Sequence, residues 1–250
     1  MFKRAAVLVV SCGALLSGCG DDARVESEEI RSNLIEAGFP SEDVKVVDGV
    51  VFVGGDAQVS LAASQEMLQR GEGSAEHFKT TNLVGTSVTR ICINPTPAFN
   101  GYTRLSQGLD LAIANYNSLG LRFTMQRGSS PACNATITAK TMAGANGSSG
   151  YPSGGLPYGQ INIGTGLQTY SVDVNEHVIT HQLGHTLGLR HTDFFNTAGC
   201  GGGEGSSGVG AILIPGTPSV DPLSIMNSCF TSSATGEFSQ YDIVALNVLY

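Results

Sequence analysis

The stretch "THQLGHTLGLRH", Thr180 to His191, decides how this chain is read. His181 and His185 are four residues apart, so an α-helix places both rings on one face, one turn apart. Gly188 follows three residues later. A glycine takes a positive φ readily and ends a helix in a sharp turn. Such a turn carries His191 back toward the first two rings. Imidazole nitrogens bind zinc at about 2.0–2.1 Å, and three of them with an open fourth position make a catalytic rather than a structural site. One buried histidine would be read as core packing. Three with a hinge glycine among them point to zinc. His177, one turn upstream, is left out of the ligand set because it sits near a helix start, which is usually wet.

These residues resemble the metzincin signature H-E-x-x-H-x-x-G-x-x-H, with Gln182 at the glutamate position. Met226, in "SIMN", is similar to the methionine of that clan's Met-turn, and "FSQYDIVALNVLY" to its C-terminal helix. The "RHTD" ending looks most like the bacterial dual-action HEIGH metallopeptidases, which are astacin-like. The resemblance covers about residues 85–250. It implies an α+β, metzincin-like (zincin) catalytic domain with a twisted mixed sheet, an active-site helix, a Met-turn and a C-terminal helix. It also implies one catalytic-type zinc ion, bound by His181, His185 and His191. The substrate would be a protein or peptide laid along an edge strand, here "GQINIG". Asp193 is then either an acceptor for a ligand N–H or a plain loop or cap residue.

In this clan the glutamate takes a proton from the zinc-activated water. A glutamine amide is nearly isosteric and holds a water by hydrogen bond, but it cannot accept the proton. Losing a general base lowers a rate by about 10²–10⁴-fold. Glu176 is the nearest carboxylate, but Asp173-x-x-Glu176 reads as a capping box on another face of the helix; Glu204 and Glu237, the other carboxylates weighed as a substitute base, lie on segments that the sequence does not position. Three functions stay open. One is a zinc-dependent metalloendopeptidase weakened by Gln182. Another is an inactive pseudoprotease that holds zinc and binds extended peptides. The third is a structural envelope protein without metal.

The chain has 250 residues and a formal net charge of −8, with no cluster of Lys and Arg, which argues against a nucleic-acid partner. Lys3 and Arg4 precede an apolar run from Ala5 to Leu16, too short to span a bilayer and suited to a signal peptide. "LSGC", Leu16 to Cys19, resembles a bacterial lipobox; an ordinary secretory signal with a chance cysteine is the plainer alternative. The expected organisation is a lipoprotein signal peptide over 1–18, an N-terminal pro-segment or regulatory region over 19–84, and the peptidase domain over 85–250. The mature protein would be a monomer in the bacterial cell envelope or outside the cell, touching membrane only through lipid on Cys19. Cys12 leaves with the signal. Cys92, Cys133, Cys200 and Cys229 remain, an even set that suggests disulfides in an exported chain. Three connectivities are possible. Cys92–Cys133 with Cys200–Cys229 is favoured because each pair stays within one half of the domain; free buried thiols are the alternative.

Residues 20–90 hold 13 acidic and 6 basic residues, against 8 and 5 in 91–250, so the regions differ in character. "ARVESEEIRSNLIEAGF" reads as an amphipathic helix on Val25, Ile30, Leu34 and Ile35, stopped by Gly38 and Pro40. The following alternation around Asp48-Gly49 reads as a hairpin, and "RGEGSAEHFKTTN" as a polar linker. "VGGDA" resembles the F-x-G-D switch of astacin pro-segments, with Val53 in place of the Phe. That resemblance puts Asp56 in the open zinc position; an ordinary Gly-Asp turn is the commoner reading. Farther along, "VTRICINP", "LRFTMQR", "ATITAKT" and "GQINIG" read as strands. Leu105, Leu109, Ala112, Ile113 and Tyr116 mark a helix ended by Gly120. Residues 144–159 read as a flexible loop, and "SQYDIVALNVLY" as a closing helix.

Overall fold

The computed structural model describes residues 19–68, 78–193, 212–218 and 220–250. The expected signal segment, most of the polar linker, Cys200 and Glu204 lie outside them. The chain opens with α1 (Cys19–Glu36), which buries Ile30 and Leu34. Val25 and Ile35 are exposed, at 64% and 40%, so the apolar face is narrower than the spacing suggests. β1 (Lys45–Val47) and β2 (Val50–Val53) form the expected hairpin, with Val47 opposite Val50. Asp48 and Gly49 between them have φ of 50° and 79°, the backbone of a two-residue type I′ turn. β3 (Ala57–Gln58) folds back on β2, and α2 (Leu61–Met67), capped by the Ser60 hydroxyl, packs on α1.

β4 (Phe78–Lys79) leads into the second region. There follow β5 (Arg90–Pro95), α3 (Pro97–Asn100), α4 (Thr103–Ser118), β6 (Thr124–Arg127), β7 (Ala135–Met142), β8 (Gly147–Gly150) and β9 (Gln160–Gly164). A 3-10 turn at Thr165–Thr169 enters α5 (Val172–Leu187), and β10 (Ile212–Leu213) and α6 (Gln240–Leu249) complete the chain. All five apolar residues expected on α4 are buried. They pack with Ile91, Ile137, Ile161 and Ile163 from the sheet and Ile179 and Leu183 from α5. A second apolar cluster lies in the N-terminal region, around Leu34, Phe39, Val51, Val53 and Met67, and takes in Tyr151 from the second region.

The result is a mixed α+β fold around one sheet of eight strands, in the order β1-β2-β3-β8-β9-β7-β5-β6. β6, β5, β7 and β9 run parallel. β8 runs antiparallel to β9, and β3 lies parallel to β8. The N-terminal region therefore continues the sheet of the second region.

Three expectations are corrected here. Residues 144–159 are not all loop, because they contain β8. Its glycines reflect crowding: a Cβ at Gly147 would stand 2.7 Å from Gln182 Cγ, and one at Gly150 would stand 2.6 Å from the Gln58 carbonyl oxygen. "GQINIG" is not an edge strand, since β9 is held between β7 and β8. The Asp173-x-x-Glu176 capping box is absent. Ser171 is the N-cap, accepting from the Val174 N–H at 3.2 Å, and Glu176 is buried against Asn115 Nδ2 at 2.7 Å.

Cys92 and Cys133 are disulfide-bonded, with Cα atoms 5.7 Å apart. Cys229 is also in a disulfide, and Cys200, its expected partner, lies outside the described residues. No described helix is long and apolar enough to cross a membrane. The Cys92–Cys133 bridge ties β5, next to the edge strand β6, to the segment just before β7 across a separation of 41 residues. Replacing both cysteines by Ala should lower unfolding stability by about 2–4 kcal/mol. The check is the denaturant midpoint at unchanged slope; an unmoved midpoint would mean that the bridge adds nothing.

Candidate metal centre

α5 ends where the sequence says it should. Gly188 has φ 103°, and its N–H donates to the His185 carbonyl at 2.9 Å. A side chain there would be doubly excluded, because a Cβ would also fall 2.4 Å from the Asn82 carbonyl oxygen. The turn brings His191 back to the helix. The Nε2 atoms of His181 and His185 are 3.0 Å apart, those of His185 and His191 3.2 Å, and those of His181 and His191 3.1 Å.

The protons of two rings can be assigned from their outer partners. His181 Nδ1 donates to the Ile225 carbonyl and His185 Nδ1 to the Leu189 carbonyl, both at 2.8 Å. A neutral imidazole with its proton on Nδ1 presents a bare lone pair at Nε2. Burial pushes His181 below its usual pKa, which favours that neutral form. Lone pairs converging at these distances cannot hydrogen-bond to one another; they suit a shared cation.

The fourth donor comes from the N-terminal region. Asp56 sits in the turn between β2 and β3. Its Oδ2 lies 3.2 Å from His181 Nε2, and its Oδ1 lies 3.5 Å from His185 Nε2 and 3.4 Å from His191 Nε2. Oδ1 is buried and accepts no hydrogen bond. Ligands at about 2.0–2.1 Å around a tetrahedral zinc stand about 3.3–3.4 Å from one another. The three Nε2 atoms here stand 3.0–3.2 Å apart, and with one carboxylate oxygen added all four ligand atoms lie within 4.8 Å of one another. The His₃/Asp group is thus able to bind one zinc ion.

Gln182, 2% exposed, lies beside this group. Its Nε2 donates to Asp56 Oδ2 at 2.7 Å, and its Oε1 accepts from the Ser149 hydroxyl at 2.8 Å. Met226 is buried beneath α5, where Gly184 makes room: a Cβ there would stand 2.5 Å from the Met226 sulfur. Asp242, in the first turn of α6, accepts from the Ser224 hydroxyl at 2.6 Å and the Ile225 N–H at 2.8 Å. It thereby fixes the carbonyl that orients His181.

The other candidates stand farther out. Both oxygens of Asp193 accept from Ser228, from its N–H at 2.9 Å and its hydroxyl at 2.8 Å. These contacts brace the loop after Met226. His177 lines the cleft with Nδ1 2.8 Å from the Thr235 carbonyl, and burial lowers its pKa to about 4. Glu237 is exposed. The cleft, about 310 Å³, is lined on one side by Lys45, Gly54, Gly55 and Asp56, and on the other by His177, Gln182, Asn227 and Phe230. Sequence reasoning missed Asp242 and Ser149. The S-x-x-D of "SQYD" is a capping-box signal that was there to be read. Ser149, inside a Gly/Ser run, carried none.

No curated protein matches the chain. Among solved structures, that of myroilysin is 16% identical with a TM-score of 0.43, covering 65% of this chain and 92% of its own. High choriolytic enzyme 1, a hatching-enzyme zinc protease from the medaka fish Oryzias latipes, is 15% identical with a TM-score of 0.45, covering 72% and 97%. A family model described as dual-action HEIGH metallo-peptidase matches residues 51–250, a span that takes in Asp56 as well as the three histidines. On that match, the chain belongs to the dual-action HEIGH metallopeptidase family.

Proposed function

We propose that this chain is a zinc-dependent metalloendopeptidase held latent by residues 19–84. In this reading His181, His185 and His191 are the zinc ligands, Asp56 fills the fourth position, and Met226 supports the rings from below. The supporting observation is that Asp56, His181, His185 and His191 bring one ligand atom each within 4.8 Å of one another, two of the rings already turned with Nδ1 outward. Substrates are proteins or peptides, as the family suggests. A metal bound there supplies Lewis-acid polarisation of a carbonyl and an acidified water. The rest falls to the chain. Gln182 can hold a water but not take its proton. β8 offers its outer main-chain groups to an extended polypeptide once β3 has left them.

A second reading is a zinc-holding pseudoprotease that binds extended peptides without cutting them. What favours it is the absence of a substitute base: among the described residues, Asp56 is the only carboxylate that joins the histidine group. Lipidation at Cys19 and a monomeric life in the bacterial envelope also belong to the proposal, on sequence grounds.

Purified full-length protein should contain one zinc per chain by elemental analysis, and His185→Ala should contain none. A metal-free wild type would sink both readings. Casein and a peptide library distinguish them. Asp56→Ala should cut faster than wild type, and adding Gln182→Glu should raise that rate by about 10²–10⁴-fold. If Asp56→Ala binds peptides without cutting them and only the double variant turns over, the pseudoprotease reading holds.

A further inference from the structure

Gln182 has a role that its loss of basicity does not explain. Its side chain is not idle in the cleft. A carboxylate can only accept hydrogen bonds, so Nε2 must be the atom that faces Asp56 Oδ2 at 2.7 Å. That leaves Oε1 for the Ser149 hydroxyl at 2.8 Å, whose one proton is shared with the Gln182 main-chain carbonyl at 2.9 Å. Ser149 closes the ring of contacts. Its own N–H donates to the Asp56 main-chain carbonyl at 3.0 Å. One residue of β8 thus holds the Asp56 backbone and orients the amide that holds the Asp56 carboxylate.

We infer that Gln182 is a latch: its amide fastens the N-terminal region over the metal centre by donating to Asp56. The two carboxylate oxygens divide the work. Oδ2 is held by the amide and also faces His181, while Oδ1 faces His185 and His191. A glutamate at 182 would press acceptor against acceptor, and charge against like charge, at the same spot. The residue type that removes the general base is therefore the one that fits an installed carboxylate. The close fit of β8 on α5 at Gly147 leaves the Gln182 side chain little room to turn elsewhere. The inference rests on the reading of residues 19–84 as a covering segment, but not on turnover.

The test is hydrogen exchange on full-length, metal-free protein with no substrate present, so that a failure of the peptidase reading does not touch it. The Ser149 amide and those of β3 report opening of the segment. Losing a hydrogen bond to a charged group corresponds to about 10–100-fold faster exchange, and Gln182→Glu should show at least that, with β5 and β7 still protected. Asp56→Asn should loosen the same amides. The double variant Gln182→Glu with Asp56→Asn restores an amide–carboxylate pair the other way round, and should recover most of the protection. Gln182→Ala removes the donor without adding charge and should fall between wild type and Gln182→Glu. It serves as the deciding variant if Gln182→Glu unfolds. Wild-type exchange in Gln182→Ala, or a double variant no better protected than Gln182→Glu alone, would overturn the latch.

Discussion

Three imidazole nitrogens stand within 3.2 Å of one another, and two of the rings have their protons committed to main-chain carbonyls on the far side. Those two rings turn bare Nε2 lone pairs toward one point, an arrangement that a shared cation satisfies. Much of the second region serves to enforce it. The helix spacing sets two rings, the Gly188 turn returns the third, and the Met226 turn supplies the carbonyl that orients His181. Asp242 holds that turn from the far end of the chain. The outer hydrogen bonds fix the orientation of the rings that could hold the ion.

Close approach is the recurring device. Met226 fits under α5 because residue 184 has no side chain, and β8 lies against Gln182 because residue 147 has none. Both contacts bear on the same helix, one from below and one from the cleft side. The glycines that make the sequence look loop-rich here mark places where backbone meets neighbour too closely for a Cβ.

The N-terminal region is built into this arrangement rather than appended to it. It has its own apolar cluster, yet that cluster includes Tyr151, whose ring also packs edge-on to His185 at 5.7 Å. Phe39 lies under the buried Arg190 guanidinium at 4.3 Å, one residue from His191. Glu66 accepts from Ser153 at 2.9 Å and from the Gly154 N–H at 2.8 Å. Packed aromatic and polar contacts thus join the two regions beside the Asp56 contact.

What the sequence determined by itself is local. The i, i+4 histidines, the hinge glycine, the Asp48-Gly49 hairpin turn and the apolar face of α4 are each set by spacing along one element, and each stands where the pattern puts it. What only the tertiary structure decided is which separate elements meet. "GQINIG" looked like an edge because nothing in it records that a glycine-rich neighbour pairs with it. That Gln182 also meets Ser149 and Asp56 could not be read, because these partners lie 33 and 126 residues away, on β8 and in the turn before β3. Periodicity reports the environment of one face of one element. It carries no information about a strand arriving from another part of the chain, and at Asp56, Ser149 and Gln182 that arrival defines the chemistry.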